Sequence, residues 1–461
     1  ERRLVEKFKS FITEAKDEKY RVLVISGEPT KGGLFHTAQR FVDEAKASGH
    51  EVYVAYPTAY IRYEDNAFFI HNVDDKKGFE ISSLNTVAFV RRSVTIKKSW
   101  SDMISQLEKI GICMVNSRNT IELASDKYRT YLKLKDFGLT QPNTVLIPNK
   151  DGVGEALTTL DSEFPIIMKT LEGSKGVGVL FVESERSLES LVQLLYAQDK
   201  NTDLLIQEYI KTPYDVRVIV LEGKILGAMR RDVIEGDFRS NVSQGAKVKE
   251  YKLTELEMEQ SLLASKAIDG SWTAVDFIPS ENIEKEPPYI LEVNHSPGTR
   301  GIEDATKENI VKTLVKYYAD PDNRISVPTQ CGYFEVVNVK PFGELVAKFD
   351  TGNSGRAVLH AEDVKIAGKK ISFKLRGKRI SKRIVDYSEL RTGGGEEKRP
   401  IIELDVDFAG TVYEDVQFGL DDRSDMSTDV LLNQDTMTRM NVMVNPNRKY
   451  VITTKFTIIK D

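Results

Sequence analysis

The spacing of apolar residues changes character late in the chain, and this change constrains the fold more than any other feature. Up to about Tyr318, short apolar runs typical of buried strands, such as RVLVISG at 21–27, alternate with helical runs such as FHTAQRFVDEAKASGH at 35–50. Beyond Gly332, short strands follow one another, separated by Gly and Asp turns. One chain therefore joins layers of strands and helices to an all-β region, which excludes a single-domain fold.

The chain has 461 residues, enough for roughly two to four domains of ordinary size. The alternation of strand and helix predicts a parallel α/β layer first, and shorter strands with helices between them predict a mixed α+β region next. A polar stretch with two Pro and no periodicity predicts a linker. The predicted domains are an N-terminal α/β domain over residues 1–117, an α+β domain over 118–320, a linker over 321–332 and an all-β domain over 333–461.

The charge and the cysteine content of the chain argue against several classes of function. The chain has 65 Lys and Arg against 70 Asp and Glu, so a surface coated with basic charge for direct nucleic-acid binding is not expected. Cys113 and Cys331 cannot build a disulfide framework, and five scattered His lack the spacing of a zinc site. No apolar run approaches the ~20 residues that span a bilayer, and residues 1–20 resemble an amphipathic helix without a signal-peptide core. These features predict a cytoplasmic protein with no membrane partner.

A glycine-rich loop follows an apolar strand in FPIIMKTLEGSKGVGVLFV, and Lys169 stands at the end of that strand. The small residues of the loop are Gly173, Ser174, Gly176 and Gly178. Small residues let backbone N–H groups approach phosphate oxygens, and one ammonium group can neutralise them. The pattern is typical of a phosphate-binding loop, but a Gly-rich hairpin with a solvated lysine has the same pattern.

Two strands near the end of the mixed region carry oxygen ligands on one face. In YILEVNHS, strand alternation puts Glu292 and Asn294 on the same side, and Asp276 has a similar place in the preceding strand. Carboxylate and amide oxygens suit Mg²⁺ that also binds phosphates. Lone acids on strands are usually solvated or salt-bridged, but three donors converging from apolar strands would be costly without a cation. The sequence therefore favours a metal site here.

Several motifs, in order along the chain, resemble those of ATP-grasp ligases and, within them, of the RimK-like group. They are ASDKYRTYLKL with Lys127, IIMKTLEGSKGVGV with Lys169, QEYI at 207–210, DVRV with Asp215 and Arg217, EGDFRSN at 235–241, and EVNHSPGTRGIE at 292–303. The resemblance implies a multidomain architecture with an α/β pre-ATP-grasp domain and an α+β ATP-grasp fold. It also implies a ligase that joins amino acids, typically glutamate, to a protein or peptide carboxyl terminus.

The resemblance further implies a role for each matching position. Phosphate contacts are implied for Lys127, Lys169 and the glycine-rich loop, adenine contacts for Gln207, Glu208, Tyr209 and Ile210, and a ribose contact for Asp215. Arg239, Ser240 and Asn241 would line the phosphate and substrate end. Asp276, Glu292 and Asn294 would hold Mg²⁺ or Mn²⁺, with two ions expected.

The implied chemistry needs no nucleophilic side chain. A carboxylate attacks the γ-phosphate of ATP to give an acylphosphate, and an amine then displaces phosphate to make an amide. Positioning and charge neutralisation by Lys, Arg and Mg²⁺ supply the catalysis. Arg239 and, at the end of KILGAMRR, Arg230 and Arg231 are the candidate catalytic arginines; the last two would stabilise the tetrahedral oxyanion or form a solvated strand end.

In the all-β region, Asp350, Thr351 and Gly352 follow an apolar strand. A strand-borne Asp followed by Thr and Gly is how aspartic proteases present a carboxylate to water. The region from about Gly332 to Asp461 resembles retropepsin-like proteases of the RimB family, once called ATP-dependent zinc proteases. Because two carboxylates must share one proton and the chain has one such motif, this chemistry requires a homodimer or a higher even oligomer.

The leading hypothesis is a bifunctional enzyme whose ligase half adds glutamate to a carboxyl terminus while its protease half trims the added tail. The alternative is a ligase for a small-molecule or peptide acceptor, with a C-terminal domain that only dimerises or docks substrate. The stretch KIAGKKISFKLRGKRISKR at 365–383 has nine Lys or Arg and no acid. Such a stretch would attract an acidic polymer or RNA, or it forms a solvated strand face.

Overall fold

The structure is a computed structural model that describes residues 18–31, 33–65, 67–91, 98–147, 149–171, 178–200, 202–233, 247–392 and 395–453. The chain forms two compact units, Glu1–Ser326 and Val327–Asp461. Within the described ranges, no helix combines the length and the hydropathy needed to cross a membrane.

The larger unit begins with a parallel sheet flanked by helices. Its elements are β1 (Arg21–Ile25), α1 (His36–Ala47), β2 (Glu51–Ala55), β3 (Tyr60–Glu64), β4 (Ala67–His71), β5 (Phe79–Ile81), β6 (Thr86–Val90), α2 (Lys98–Ile110) and β7 (Cys113–Val115). Strands β2, β1, β6 and β7 form the parallel sheet in that order. Strands β1, β6 and β7 are almost continuously apolar because both of their faces are buried. Strands β3, β4 and β5 form a separate antiparallel sheet that the sequence pattern did not predict.

The same unit continues with two antiparallel sheets. Its elements are α3 (Arg118–Ser125), α4 (Lys127–Asp136), β8 (Thr144–Ile147), α5 (Val153–Leu160), β9 (Ile166–Thr170), β10 (Val179–Val182), α6 (Glu185–Gln198), β11 (Leu204–Glu208), β12 (Tyr214–Leu221), β13 (Lys224–Asp232), β14 (Val248–Glu250), α7 (Glu255–Ala267), β15 (Trp272–Ile278), β16 (Tyr289–Asn294), α8 (Arg300–Thr306) and α9 (Ile310–Tyr317). The four-stranded sheet has the order β10-β9-β11-β8, and the five-stranded sheet has the order β14-β13-β12-β15-β16.

The smaller unit is built almost entirely of strands. Its elements are β17 (Thr329–Val339), β18 (Gly343–Phe349), β19 (Ala357–His360), β20 (Glu362–Ala367), β21 (Lys370–Leu375), β22 (Lys378–Arg383), β23 (Asp386–Thr392), β24 (Gly395–Phe408), β25 (Thr411–Asp421), β26 (Val430–Leu432), α10 (Gln434–Arg439) and β27 (Val442–Lys449). Eight strands form one sheet in the order β23-β24-β25-β19-β26-β18-β17-β27, and a further pairing of β24 with β17 closes this sheet on itself. Strands β20, β21 and β22 form a second sheet.

A buried carboxylate on β17 accepts hydrogen bonds from the segment that follows β27. Glu335 is fully buried, and its oxygens accept hydrogen bonds from the backbone N–H groups of Gly332, Val451, Ile452 and Thr453 and from the hydroxyl of Thr453. A buried carboxylate is tolerated only when donors surround it in this way. Glu335 is therefore a structural residue of the smaller unit.

Replacing this carboxylate by an amide should loosen β17. In Glu335→Gln, one oxygen becomes an N–H donor that faces other donors, at a cost of about 2 kcal/mol. We expect the backbone amides of β17 to exchange with deuterium ~30-fold faster, as measured by mass spectrometry of the native chain. The control is Glu344→Gln on β18, where the side chain is exposed. Equal exchange rates in the two variants would contradict the role of Glu335.

Candidate functional site

Five charged side chains form a row across one face of the five-stranded sheet. The strand register places Asp215 opposite Arg231, Arg217 opposite Asp276, and Asp276 opposite Glu292. Because alternate residues of a strand share a face, these pairs put all five side chains on the same side of the sheet. These five residues are called the charge row below.

Asp276 is the buried centre of the charge row. Nε of Arg217 donates to Oδ1 of Asp276 at 2.7 Å, and Nη2 of Arg231 lies 3.1 Å from Oδ2. Arg231 also donates to both oxygens of Asp215, at 2.6 and 2.7 Å. Burial alone would raise the pKa of Asp276, but the two guanidinium groups outweigh burial and hold that pKa well below its usual range. Asp276 is therefore ionised at neutral pH.

The charge row ends at Glu292 with negative charge left over. Three carboxylates meet two guanidinium groups, and among the described residues the guanidinium nitrogen nearest to Glu292, Nη2 of Arg217, is 4.0 Å away. Nδ2 of Asn294 donates to Oε1 of Glu292 at 2.9 Å. The predicted ligands Asp276, Glu292 and Asn294 thus lie together, with Glu292 half exposed. Hard oxygen donors that include a half-exposed carboxylate fit a divalent cation.

Lys169 on β9 extends a partly buried ammonium group that interacts electrostatically with Glu292 at this end of the row. Its Nζ donates to Oε1 of Gln207 at 2.7 Å, and Nε2 of Gln207 donates to Oγ1 of Thr144 at 2.8 Å, which holds the amide in place. Burial lowers the pKa of Lys169 to about 8, while Glu292 raises it and Lys127 lowers it further. Lys169 therefore carries a charge that is poised to change near neutral pH.

Lys127 reaches the strand end from which the glycine-rich loop departs. It stands in the first turn of α4, where the side chain of Asp126 caps the helix by accepting two backbone N–H bonds. Nζ of Lys127 donates to the carbonyl groups of Thr170 and Leu171, both at 3.0 Å. The predicted pair of phosphate-contacting lysines is thus placed at the same end of β9.

Gly178, the last of the loop's small residues, cannot be replaced without strain. Its φ is +84°, and a Cβ there would lie 2.3 Å from Oγ1 of Thr170. This requirement explains one of the predicted small residues by backbone geometry. The other predicted loop and substrate-end residues, Gly173, Ser174, Gly176, Arg239, Ser240 and Asn241, lie outside the described residues.

The predicted adenine contacts lie where β11 ends. The N–H of Glu208 donates to the carbonyl of Asn143 at 2.9 Å, and its carboxylate accepts from the N–H of Asn143 at 3.2 Å. The ring of Tyr209 meets that of Phe181 edge-on, 5.1 Å between centroids. The four predicted residues, Gln207, Glu208, Tyr209 and Ile210, run from this strand end into the connection to β12. Their contact with adenine stays a prediction.

The two arginines at the end of β13 point to opposite faces of the sheet, because successive strand residues alternate. Arg231 joins the charge row, whereas Arg230 lies over the ring of Tyr214, 3.6 Å from its centroid, and pairs with Asp232. Asp215, for which a ribose contact is implied, is buried and accepts two hydrogen bonds from Arg231. The roles of Arg230 in catalysis and of Asp215 in ribose binding stay predictions.

Two residues that the sequence did not single out hold the ends of the strands that carry the row. Nδ2 of Asn116 donates to the carbonyl groups of Trp272 and His295 at 2.7 Å, and its Oδ1 accepts from the N–H of Trp272 at 3.0 Å. The guanidinium group of Arg91 lies 4.7 Å from the centroid of a Trp272 ring, and its Nη2 donates to the carbonyl of Pro297 at 2.7 Å. Both contacts join segments that are far apart in the sequence, so no local sequence pattern predicts them.

In the smaller unit, Asp350 directly follows β18. Its N–H donates to the carbonyl of Leu432 at 3.2 Å, and its Oδ1 accepts from the N–H of Gly352 at 3.0 Å. Nζ of Lys348 lies 3.6 Å from Oδ2, and the carboxylate is partly exposed. Thr351 is exposed. One copy of the chain thus presents one partly exposed carboxylate at this position. Its role in an aspartic protease dyad stays a prediction.

Comparison with known proteins found two family models that match different parts of the chain. The model of the RimK-like ATP-grasp domain matches residues 124–318, and the model of the retropepsin-like aspartic endopeptidase RimB matches residues 344–455. These matches confirm the predicted fold class, in which an α+β region of ATP-grasp type precedes an all-β region of retropepsin-like type.

Similar proteins include two described as probable alpha-L-glutamate ligases. The protein of Thioalkalivibrio sulfidiphilus is 31% identical over 291 residues, which cover 62% of this chain and 93% of that protein. The protein of Coxiella burnetii is 32% identical over 291 residues, 62% of this chain and 92% of that protein. Among solved structures, the ATP-grasp ligase PsnB complexed with minimal precursor has 19% identity and a TM-score of 0.49, over 66% of this chain and 99% of that one.

The affinity for ATP should fall at alkaline pH. The pKa of Lys169 is lowered to about 8, so its ammonium form is present below that pH and is lost above it. If ATP binds the ammonium form, its apparent Kd should rise about tenfold per pH unit above 8, as measured by calorimetry. Lys169→Arg keeps its charge over this range and should flatten the dependence. The same slope in the variant and the wild-type chain would exclude Lys169 as the titrating group.

Proposed function

Because the chain belongs to the RimK-like ATP-grasp family, we propose that it is an ATP-dependent carboxylate–amine ligase that adds glutamate to a protein or peptide carboxyl terminus. The observation that carries the proposal is the charge row, which ends in Glu292 and Asn294 beside the ammonium group of Lys169. This end offers negative charge to a metal ion and positive charge to phosphates. The relatives described as glutamate ligases support the choice of amino acid.

Asp276, Glu292 and Asn294 would hold Mg²⁺ or Mn²⁺, with two ions expected, and bound metal would neutralise the phosphates of ATP. Arg217 and Arg231 keep Asp276 ionised, so this ligand has no proton to lose when a cation arrives. The remaining nucleotide contacts would come from Lys127, Lys169, Gln207, Glu208, Tyr209, Ile210, Asp215 and the loop containing Gly178.

In the proposed reaction, the acceptor carboxylate attacks the γ-phosphate, which gives an acylphosphate and ADP. The amine of glutamate then attacks the acyl carbon, and phosphate leaves as the amide forms. The protein supplies position and charge rather than a covalent intermediate. Of the described arginines, we favour Arg217 over Arg230 for contact with the transferred group, because Arg217 borders Glu292 while Arg230 lies on the other face.

We further propose that the smaller unit is an aspartic peptidase that trims the added tail. Its carboxylate would be Asp350, paired in a homodimer with Asp350 of a second copy, because one proton must be shared by two close carboxylates. Thr351 and Gly352 would hold that carboxylate at the end of β18. A second candidate function, dimerisation or docking without hydrolysis, is favoured by the proximity of Lys348, which already gives Asp350 a cationic neighbour.

Removing Glu292 should abolish ligation. Glu292→Ala takes away a metal ligand and the surplus negative charge, which we expect to lower the rate at least ~100-fold. The assay is mass spectrometry of peptides with free carboxyl termini after incubation with ATP, Mg²⁺ and glutamate, where the wild-type chain should add a ladder of glutamates. Glu281→Ala removes an exposed acid between β15 and β16 and should keep the ladder. A full ladder from Glu292→Ala would contradict the proposal that Glu292 binds the metal ion.

Removing the carboxylate of Asp350 should preserve the ladder. After chelation of Mg²⁺ stops synthesis, the wild-type chain should shorten the tails, whereas Asp350→Asn should leave them intact because one dyad carboxylate is missing. Asp435→Asn, an exposed acid on α10, is the matched control and should shorten tails at the wild-type rate. Equal shortening by Asp350→Asn would remove the peptidase role, and sedimentation of the wild-type chain as a monomer would do the same.

A further inference from the structure

The outward face of the three-stranded sheet concentrates positive charge. Ile371, Phe373 and Leu375 of β21 are buried in the core of the smaller unit, so the alternate residues of this strand face away from that core. In the register of the sheet, Lys370 lies opposite Arg383, Lys374 opposite Arg379, and Lys365 opposite Ser372. The basic residues on this side, called the basic face below, are Lys365, Lys370, Lys374, Arg379 and Arg383.

Only part of this charge is neutralised. Asp363 lies 2.7 Å from Nζ of Lys374 and 3.0 Å from Nη2 of Arg379, and Glu362 lies opposite Lys374 in the strand register. In the part of the chain that the structure describes, no carboxylate lies within ion-pair distance of Lys365, Lys370 or Arg383. The whole chain has a net charge of −5, so this positive surface is a local departure from its overall charge.

We propose that the basic face binds an acidic peptide, namely an extended run of glutamates such as the tail that the proposed ligase would make; the inference rests on that proposed function. The pairs Lys370 with Arg383 and Lys374 with Arg379 are four residues apart, about 13 Å along the strands. Side chains on one face of an extended peptide repeat every ~7 Å. A carboxylate bound at Lys370 and Arg383 therefore places the second carboxylate along that face at Lys374 and Arg379, where it would compete with Asp363. The carboxylate between them meets the hydroxyl groups of Ser372 and Ser381, which lie opposite each other.

The composition of the face favours a peptide over RNA. In β20, β21 and β22, all of whose residues the structure describes, the one aromatic side chain is Phe373, and it is buried in the core. Single-stranded RNA is held largely by stacking of bases on exposed aromatic rings. The basic face offers charge and hydroxyl groups alone, which suit carboxylates.

The basic face also lies within reach of Asp350. Nη1 of Arg376, in the turn between β21 and β22, donates to the carbonyl of Glu344 at 3.0 Å. Strand β18 runs from there to Phe349, just before Asp350, a length of about 20 Å. An extended peptide of about six residues covers that length, so a bound tail can approach the proposed peptidase carboxylate.

The test is binding of a fluorescein-labelled peptide that ends in eight glutamates to the full chain, followed by fluorescence anisotropy at low salt without ATP. The double variant K370E/R383E should bind at least tenfold more weakly than the wild-type chain. The control K76E/K77E makes the same change in charge at two exposed residues of the larger unit and should bind like wild type. A peptide ending in eight glutamines should not bind measurably. Hydrogen exchange of β21 at wild-type rates would show that K370E/R383E remains folded.

Unchanged binding of the glutamate peptide to folded K370E/R383E would overturn the proposal, as would no binding to the wild-type chain or equal binding of the glutamine peptide. Tighter binding of an oligouridine that is lost in K370E/R383E would make the basic face a nucleic-acid surface and overturn it too. Peptide binding without any ligase activity would discard only the proposed ligation. Ligation without peptide binding would discard only the basic face as a docking surface.

Discussion

The ion pair between half-buried Arg217 and buried Asp276 is the interaction on which the rest of the site depends. Removing charges from water costs several kcal/mol per ion, and removing one partner of a buried pair typically costs about 3–5 kcal/mol because the other charge is left uncompensated. Each buried member of the charge row has an opposite charge beside it, so the row is stable only as a set. Glu292 differs from them, since it is half exposed, Nη2 of Arg217 is 4.0 Å away, and its other cationic neighbour is Lys169 from a different sheet. Charge compensation thus favours one end of the row for the proposed cation site.

The position of the charge row depends in turn on a hydrophobic core that the N-terminal parallel sheet shares with the five-stranded sheet of the larger unit. Trp272 begins β15, meets Phe41 of α1 edge-on at 5.6 Å between centroids, and also lies against the guanidinium group of Arg91. The same core contains Tyr318 from the end of the unit. Because Trp272 precedes Asp276 on one strand, the N-terminal layer helps to fix where the charge row lies. A repacking around Trp272 would therefore shift the proposed metal ligands without contacting any of them.

Features that depend on neighbouring residues could be predicted from the sequence, whereas features that depend on residues far apart in the chain could not. Alternation along a strand is local, so the residue order alone could place Glu292 and Asn294 on one face, and the fold brings Asp276 beside them. Strand register is not local, so the partners Arg217 for Asp276 and Arg231 for Asp215 could not be assigned. Asn116 could not be recognised for the same reason, because its partners are backbone groups more than a hundred residues away. The sheet of β3 to β5 was not predicted because its strands have only three to five residues, too few to show a clear period.

Burial makes the charges of the two units behave differently. In the charge row, low dielectric surroundings strengthen each pair, and Asp276 is held ionised against its burial. The basic face is exposed, so at physiological salt its field fades over roughly 8 Å and acts only on a partner already close to it. Binding there should be weak, fast and sensitive to salt, because exposed charge pairs are worth about 1 kcal/mol or less each. Such reversible binding suits a surface that must release a shortened tail after each proposed cleavage. The proposed ligation has a different need, because phosphates must be bound by fixed charges that water does not screen.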